Sequence, residues 1–210
     1  MLNATQRIFA SVLFLLLVSA MITGGALARL NGPSVVGIDG VRIFSRGIPI
    51  SDGQFIAQTG NLFHLSELSG SWSLLFFGYT YCPDVCPMTL ANLSRTWKRL
   101  PLDVQAQLNV VLVSVDPERD TPASMAPYMG YFNPSFMALT GNPAALKTLA
   151  TEVNAFFARV ERDGDLAYLM DHSANIVLID PAGQYRGYIE PPLDPQRLTS
   201  VIQQLVSMPR

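Results

Sequence analysis

The strongest constraint on the fold is an amphipathic helix pattern that lies between two short, continuous apolar runs. Residues 73–78 (SLLFFG) and 109–115 (NVVLVSV) have the composition of strands covered on both faces. From Pro87 onward, apolar residues recur at helical spacing, and Pro101 follows the last of them. This order of elements predicts two parallel strands joined by a right-handed helical crossover, because nearly all such connections have that hand.

The rest of the chain alternates between strand and helix patterns in the same way. Proline or cap residues predict further helices at 122–132, 143–153 and 195–207. Apolar runs bounded by Gly, Asn and Pro predict strands at 41–44, 55–59, 63–65, 136–139, 156–160, 176–180 and 184–189. Together these elements predict an α/β sandwich with a mixed central sheet, an added N-terminal β-hairpin and a C-terminal hairpin.

The N-terminal segment predicts export. Residues 8–28 carry no charge and are long enough, at about 1.5 Å per residue, to cross roughly 30 Å of hydrocarbon. We therefore expect residues 1–29 to form a membrane anchor, with one transmembrane helix at residues 8–28. A cleaved signal peptide is the alternative, because Ala26-Leu27-Ala28 has the form of a cleavage site. In either case the sequence predicts a domain that faces the bacterial periplasm, attached to the inner (cytoplasmic) membrane if the anchor is retained.

Beyond the anchor, residues 30–40 contain Gly, Pro and Asn without a clear period and are predicted to be a tether. Residues 41–210 are then one domain of ordinary size. The net charge of the chain is -2, and its acidic and basic residues are interspersed. With no basic block, the charge pattern does not indicate nucleic-acid binding.

The only two cysteines of the chain, Cys82 and Cys86, directly follow the first apolar run. A disulfide across so short a loop removes little entropy from the unfolded chain, which makes a purely structural bond the weaker explanation. The pair is therefore either redox-active or a set of two soft metal ligands. If Cys86 is the N-cap and Pro87 the first helical residue, the helix N-terminus makes Cys86 the more acidic thiol.

Two histidines are available as further ligands. His172 lies in a polar segment before residues 176–180, where we expect a loop and a functional role or a bracing one. His64 lies in a predicted strand and is expected to be an ordinary packing or surface residue. Two thiolates and one imidazole form a soft set that suits copper, or zinc with an open fourth position. Asp171 is either a hydrogen-bond acceptor for His172 or a solvated acid.

A group of charged residues follows the second apolar run: Asp116, Glu118, Arg119 and Asp120. We interpret this cluster as a hydrogen-bonded loop, with partner contact as the alternative. Asp84, between the two cysteines, either assists docking of a partner or solvates the loop.

Three segments resemble the signature segments of the Sco/SenC family of copper-binding proteins, in matching order and spacing: residues 76–90 (FFGYTYCPDVCPMTL), 113–122 (VSVDPERDTP) and 168–192 (YLMDHSANIVLIDPAGQYRGYIEPP). The resemblance extends over about residues 50–208. It implies a thioredoxin-like fold with an N-terminal hairpin. It also implies that Cys82, Cys86 and His172 bind one copper per chain, as Cu(I), Cu(II) or both.

The same resemblance implies a role in the assembly of the binuclear copper centre of cytochrome c oxidase. The first hypothesis is a metallochaperone that passes copper to the copper-bearing subunit of the oxidase. The alternative is a thiol-disulfide reductase in which Cys82 and Cys86 keep the copper-receiving cysteines of that subunit reduced. Other periplasmic copper chaperones or thiol reductants are further expected partners.

Overall fold

The computed structural model of the chain describes residues 19, 35–38, 40–162 and 168–208. The chain divides into two compact units, Met1–Ser34 and Val35–Arg210. The predicted membrane span, 8–28, lies outside the described residues except for Ser19. Within the part of the chain that is described, no helix has both the length and the apolar character needed to cross a membrane.

The second unit is built around a mixed sheet. In chain order, its strands are β1 (Val35–Ile38), β2 (Val41–Ile48), β3 (Gln54–Ala57), β4 (Leu62–His64), β5 (Trp72–Gly78), β6 (Leu108–Ser114), β7 (Met137–Thr140), β8 (Phe157–Glu161), β9 (Tyr168–His172), β10 (Ile176–Ile179) and β11 (Tyr185–Ile189). Within the described residues, nine strands form one sheet in the order β1-β2-β11-β10-β5-β6-β7-β3-β4, and β8 pairs only with β9. Strands β5, β6 and β7 are parallel and the other pairs are antiparallel. The predicted mixed sheet is therefore confirmed.

Among its described residues the second unit has five α-helices, and the last three begin where cap chemistry predicts. The helices are α1 (Val85–Trp97), α2 (Leu102–Gln105), α3 (Pro122–Phe132), α4 (Pro143–Glu152) and α5 (Pro195–Val206), with a short 3-10 helix at Leu65–Leu68. The side chains of Asn142 and Asp194 accept hydrogen bonds from the first backbone N–H groups of α4 and α5, and a proline follows each. A cap residue followed by proline determines where a helix begins. The cap side chain accepts from a first-turn backbone N–H that has no partner within the helix, and proline at the first position has no N–H to leave unpaired.

Strand β5 is the centre of the core, since all seven of its residues are buried. It pairs with β6 in parallel register from Trp72 opposite Leu108 to Gly78 opposite Ser114. Helix α1 buries Leu90 and Leu93 and packs against α5. Because β5 and β6 are parallel, they end at the same edge of the sheet, and the loops that follow them lie side by side there.

The N-terminal strands extend further than predicted. Residues 35–38, in the segment expected to be a tether, form β1 and pair antiparallel with β2. Gly40 between them has a φ of 64°, a left-handed conformation that glycine adopts without steric cost. The predicted hairpin around Gly60 is confirmed as β3 and β4.

Candidate metal centre

The loop between β5 and α1 carries both cysteines, and two hydrogen-bonding groups hold its first turn. The Cys82 backbone N–H donates to the Tyr79 carbonyl oxygen at 3.3 Å. The Thr80 backbone N–H donates to an Asp120 carboxylate oxygen at 3.0 Å, and the Thr80 hydroxyl also donates to this carboxylate. The loop after β5 is thus tied to the loop after β6.

Helix α1 begins earlier than the sequence predicted. Its N-cap position is Asp84 and its first residue is Val85, so Cys86 lies inside the first turn and is not the N-cap. Pro87 fits there because the first-turn N–H groups have no partner within the helix, so a proline at any of these positions removes no helical bond. As a result, the Cys86 backbone N–H points back to the Cys82 sulfur, with N and Sγ 3.4 Å apart.

His172 reaches the same place from a strand rather than from the loop that was predicted. It is the last residue of β9 and is paired with Phe157 of β8. Its imidazole packs edge-on against the rings of Phe76 and Tyr79, at centroid distances of 5.7 Å and 5.9 Å. Hydrogen bonding to β8 and packing on the core therefore fix where the imidazole lies.

The three predicted ligands are brought together at the end of β5. The His172 Nε2 atom lies 3.3 Å from Cys86 Sγ and 4.0 Å from Cys82 Sγ. All three ligand atoms lie within 4.8 Å of one another. Such a separation lets one ion contact all three atoms after small side-chain adjustments.

The other imidazole nitrogen has its own partner. His172 Nδ1 lies 3.1 Å from the backbone carbonyl oxygen of Ser173. A carbonyl can only accept, so this contact places the proton on Nδ1 and leaves the Nε2 lone pair facing the thiols. Asp171, considered as the acceptor from sequence, is exposed, and the carbonyl of Ser173 fills that role instead.

The two thiols differ in burial and in acidity. Cys86 is fully buried, whereas Cys82 is partly exposed. Hydrogen bonds from the Cys86 thiol and from the backbone N–H groups of Asp84 and Cys86 lower the pKa of Cys82 to about 4. The interaction with Cys82, together with burial, raises the pKa of Cys86. The prediction that Cys86 is the more acidic thiol is therefore wrong, because the Cys86 thiol donates to Cys82 and is itself the more deeply buried.

The charged cluster after β6 is mainly a structural loop, as predicted. Asp120 is fully buried and accepts hydrogen bonds from Thr80 and from the Ser114 hydroxyl. Asp116 is also buried and forms an ion pair with Arg119. Burial raises the pKa of Asp120, and its hydrogen bonds oppose that rise.

Two residues that shape the site were not singled out as such from sequence. A Cβ atom on Gly78 would lie 2.9 Å from Cys86 Sγ, so the missing side chain makes room for the thiol. Tyr79 accepts a hydrogen bond from the Met170 backbone N–H through its hydroxyl. Its phenol therefore contacts the strand that carries His172.

The second histidine lies elsewhere. His64, at the end of β4, has Nδ1 3.6 Å from an Asp52 carboxylate oxygen. Among the described residues, the only group of three potential metal ligands found together is Cys82, Cys86 and His172. Its two sulfurs and one imidazole nitrogen form a soft, three-ligand set.

Fold and site together define a class of protein, an α/β domain with a mixed sheet and a two-cysteine, one-histidine centre at the end of a parallel strand. Residues 50–207 match the SCO1/SenC family model. The chain belongs to the SCO1/SenC family. The expected family assignment is confirmed.

Relatives and solved structures agree with this assignment. A protein of Stutzerimonas stutzeri named as a candidate copper-binding protein is 36% identical over 171 residues, which cover 81% of this chain and 83% of the relative. The copper-bound ScoI structure of Bradyrhizobium japonicum is 34% identical, with a TM-score of 0.67, and the match covers 75% of this chain and 99% of that one. The apo Sco1 structure of Thermus thermophilus is 32% identical, with a TM-score of 0.70, and the match covers 83% and 99%. These neighbours support the thioredoxin-like fold that was predicted.

Proposed function

We propose that the chain binds one copper ion through Cys82, Cys86 and His172 and delivers it during assembly of the binuclear copper centre of cytochrome c oxidase. The observation that carries the proposal is the convergence of two sulfurs and one imidazole nitrogen within 4.8 Å. Membership of the SCO1/SenC family, and the copper-bound structures of its relatives, support copper over zinc as the ion.

The proposed working context is the periplasmic side of the bacterial inner membrane. Its support is the uncharged stretch at residues 8–28, which has the length of a membrane span. The partner in this proposal is the copper-bearing subunit of the oxidase, with periplasmic copper chaperones or thiol reductants as the sources of metal and electrons.

The unequal exposure of the two thiols suggests an order for ligand exchange. Cys82 is partly exposed and Cys86 is buried, so an incoming thiolate of a partner reaches the Cys82 side of the centre first. His172 keeps its Nε2 lone pair available through the Nδ1 contact with Ser173. A soft ion is then handed over one ligand at a time, without a step in which it is free in solution.

The same dithiol supports a second candidate function, reduction of a disulfide in the copper-receiving subunit. In that reaction the Cys82 thiolate attacks one sulfur of the partner disulfide, forms a mixed disulfide and releases the other sulfur as a thiolate. The Cys86 sulfur then displaces the partner, which leaves with two reduced thiols while the chain keeps a Cys82–Cys86 disulfide. The two sulfurs lie within 4.8 Å of each other, and this closeness favours the reductase.

The test is an anaerobic titration of the reduced protein with Cu(I) in competition with a chelator. The unchanged chain is compared with Cys82→Ser, Cys86→Ser and His172→Ala. We expect one tightly bound copper per chain, and each substitution should weaken it because a three-ligand site loses one donor.

The outcomes separate the two candidates. Retained tight binding in His172→Ala would contradict the three-ligand centre. Weak binding that is indifferent to His172, with metal-free reduction of a disulfide in the oxidase subunit, would make the reductase the working function.

A further inference from the structure

The guanidinium of Arg119 lies among aromatic rings from both halves of the centre. Its carbon Cζ is 5.0 Å from the ring centroid of Tyr81 and 3.7 Å from that of Tyr168. A guanidinium at these distances is attracted to the face of each ring. Arg119 thus bridges two aromatic side chains from different segments of the chain.

Those segments are the two that carry the ligands. Tyr81 directly precedes Cys82 on the loop after β5. Tyr168 is the first residue of β9, whose last residue is His172. Residues two apart on a strand share a face, so Tyr168, Met170 and His172 lie on the same side of β9.

Arg119 itself is held in place on several sides. It forms an ion pair with Asp116, and the side chains of the two residues are 18% and 3% exposed. Its Nη1 donates to the Tyr168 carbonyl oxygen at 3.2 Å, and the Tyr168 hydroxyl donates to Asp116 at 2.8 Å. Because Arg119, Asp116 and Tyr168 bond to one another, the guanidinium cannot move without breaking buried polar contacts.

We propose that Arg119 is a positioning residue, which sets the separation between the His172 imidazole and the thiols by stacking between Tyr81 and Tyr168. The inference rests on the proposed copper site and adds to it a residue that is not one of the three ligands. A planar guanidinium suits this position because it stacks its face on a ring and donates hydrogen bonds in its plane, whereas the ammonium of lysine has no planar face to stack.

The structure also provides a matched control. The Cζ carbon of Arg159 lies 3.8 Å from the Tyr168 ring centroid, and the Arg159 side chain forms ion pairs with Glu118 and Glu161. It is 44% exposed, and these described contacts join it to the β8–β9 pair and to Glu118 rather than to the loop that carries Cys82. Substituting Arg159 therefore disturbs Tyr168 but leaves the contacts of Arg119 with Tyr81 and Tyr168 in place.

The experiment compares Arg119→Lys with Arg159→Lys in the reduced full chain. By the anaerobic Cu(I) competition titration, Arg119→Lys should bind copper about tenfold more weakly, in the range seen when groups that orient metal ligands are removed. The copper affinity of Arg159→Lys should stay within about twofold of that of the unchanged chain, because exposed ion pairs contribute little. Tyr81→Leu, a change at a side chain that is 50% exposed, should weaken binding in the same direction as Arg119→Lys.

A metal-free measurement distinguishes this inference from the proposed function. The chain has two histidines, so NMR of their ring protons reports His172 directly, with His64 as an internal reference. In reduced apo protein, Arg119→Lys should shift or broaden the His172 signals and leave those of His64 unchanged. Failure of the unchanged chain to bind copper would refute the proposed function. The NMR comparison would still test whether Arg119 positions His172, because it is made without metal.

Two results would overturn the inference. One is an Arg119→Lys protein with unchanged His172 ring signals and unchanged copper affinity. The other, which applies if Arg119→Lys does not fold, is a folded Tyr81→Leu protein that binds copper as the unchanged chain does.

Discussion

The site depends on single residues that are not themselves ligands, and Gly78 is the clearest of them. It ends the buried strand β5, and a Cβ there would meet Cys86 Sγ and a Phe76 ring carbon, each at 2.9 Å. Both side chains are fully buried, so neither can move out into solvent to make room. The absence of a side chain at residue 78 therefore determines where the Cys86 thiol lies.

We expect Gly78→Ala to displace the Cys86 thiol from His172 and to destabilise the fold by about 1–3 kcal/mol, the usual cost of overpacking. Copper affinity should fall in protein that is still folded. Gly130→Ala is the control, since a Cβ there meets nothing within 4 Å and alanine favours the interior of α3. Thermal unfolding and the Cu(I) competition titration measure both effects, and a Gly78→Ala protein with unchanged affinity would contradict this account.

Asp120 is the second such residue, since it joins the two loops at the edge of the sheet. Asp120→Ala would leave the Thr80 backbone N–H and the Ser114 hydroxyl without their acceptor in a buried place. Each buried donor left unpaired costs about 1–3 kcal/mol, so we expect a loss of roughly 3 kcal/mol in the free energy of unfolding. Urea unfolding measures this loss in the free energy of unfolding. A loss no larger than that of Asp171→Ala, at an exposed residue, would show that these bonds are not important.

At the residue scale, the sequence was sufficient to name Cys82, Cys86 and His172, because the chain has only two cysteines and two histidines and the family resemblance indicated which histidine. It was not sufficient to rank the two thiols. Their acidity depends mainly on which thiol donates to the other and on how deeply each is buried, and both follow from the folded loop. The first residue of α1 was also open, because proline is compatible with several first-turn positions.

At the scale of elements, the two-stranded pair of β8 and β9 is the part of the site least supported by the main sheet. Strand β9 carries His172 but pairs only with β8 among the described strands. Its contacts with the core include the Tyr79 hydroxyl bond to Met170 and the stacking of Tyr168 on Arg119. An isolated two-stranded pair is marginally stable by itself, so these side-chain contacts stabilise it.

We therefore expect backbone amides of β8 and β9 to exchange with solvent through local opening, at a lower free energy than those of β5 and β6. Adding Cu(I) to the reduced protein should slow exchange in β9, because binding joins His172 to the cysteine loop. Native-state hydrogen exchange measures both effects. The prediction fails if β9 is as protected as β5 without metal, or if its protection is unchanged by copper.

The sequence predicted β5, β6, α1 and both hairpins because each has a clear period or turn signal. It missed β9, because YLMDH mixes polar and apolar residues and its strand form comes from pairing with β8. Strand β1 was missed for a similar reason, since a Gly-containing segment was interpreted as a tether. Each of these segments becomes a strand by pairing with its neighbour along the chain, and the periodicity of the segment itself does not reveal that pairing.

At the scale of the molecule, copper binding and folding are coupled, because the three ligands come from elements that meet only in the folded chain. A ligand at about 1,000 times its Kd stabilises a protein by about 4 kcal/mol. We therefore expect Cu(I) to raise the Tm of the reduced protein clearly. A protein with both Cys82→Ser and Cys86→Ser should show no increase, and an equal increase in that protein would place the metal elsewhere.

The whole architecture was predictable in outline, since alternating strands and helices and three family-like segments indicated the thioredoxin-like sandwich. The N-terminal anchor stays a prediction, because residues 8–28 lie outside the described part apart from Ser19. Where the domain works in the cell follows from that segment and not from the fold.

X-ray absorption of the copper-loaded protein shows directly whether Cys82, Cys86 and His172 hold one copper ion together. We expect a first coordination shell of two sulfurs and one imidazole nitrogen, with the nitrogen lost in His172→Ala and one sulfur lost in Cys82→Ser. A shell with no imidazole nitrogen in the unchanged chain, or one that His172→Ala leaves intact, would contradict this expectation.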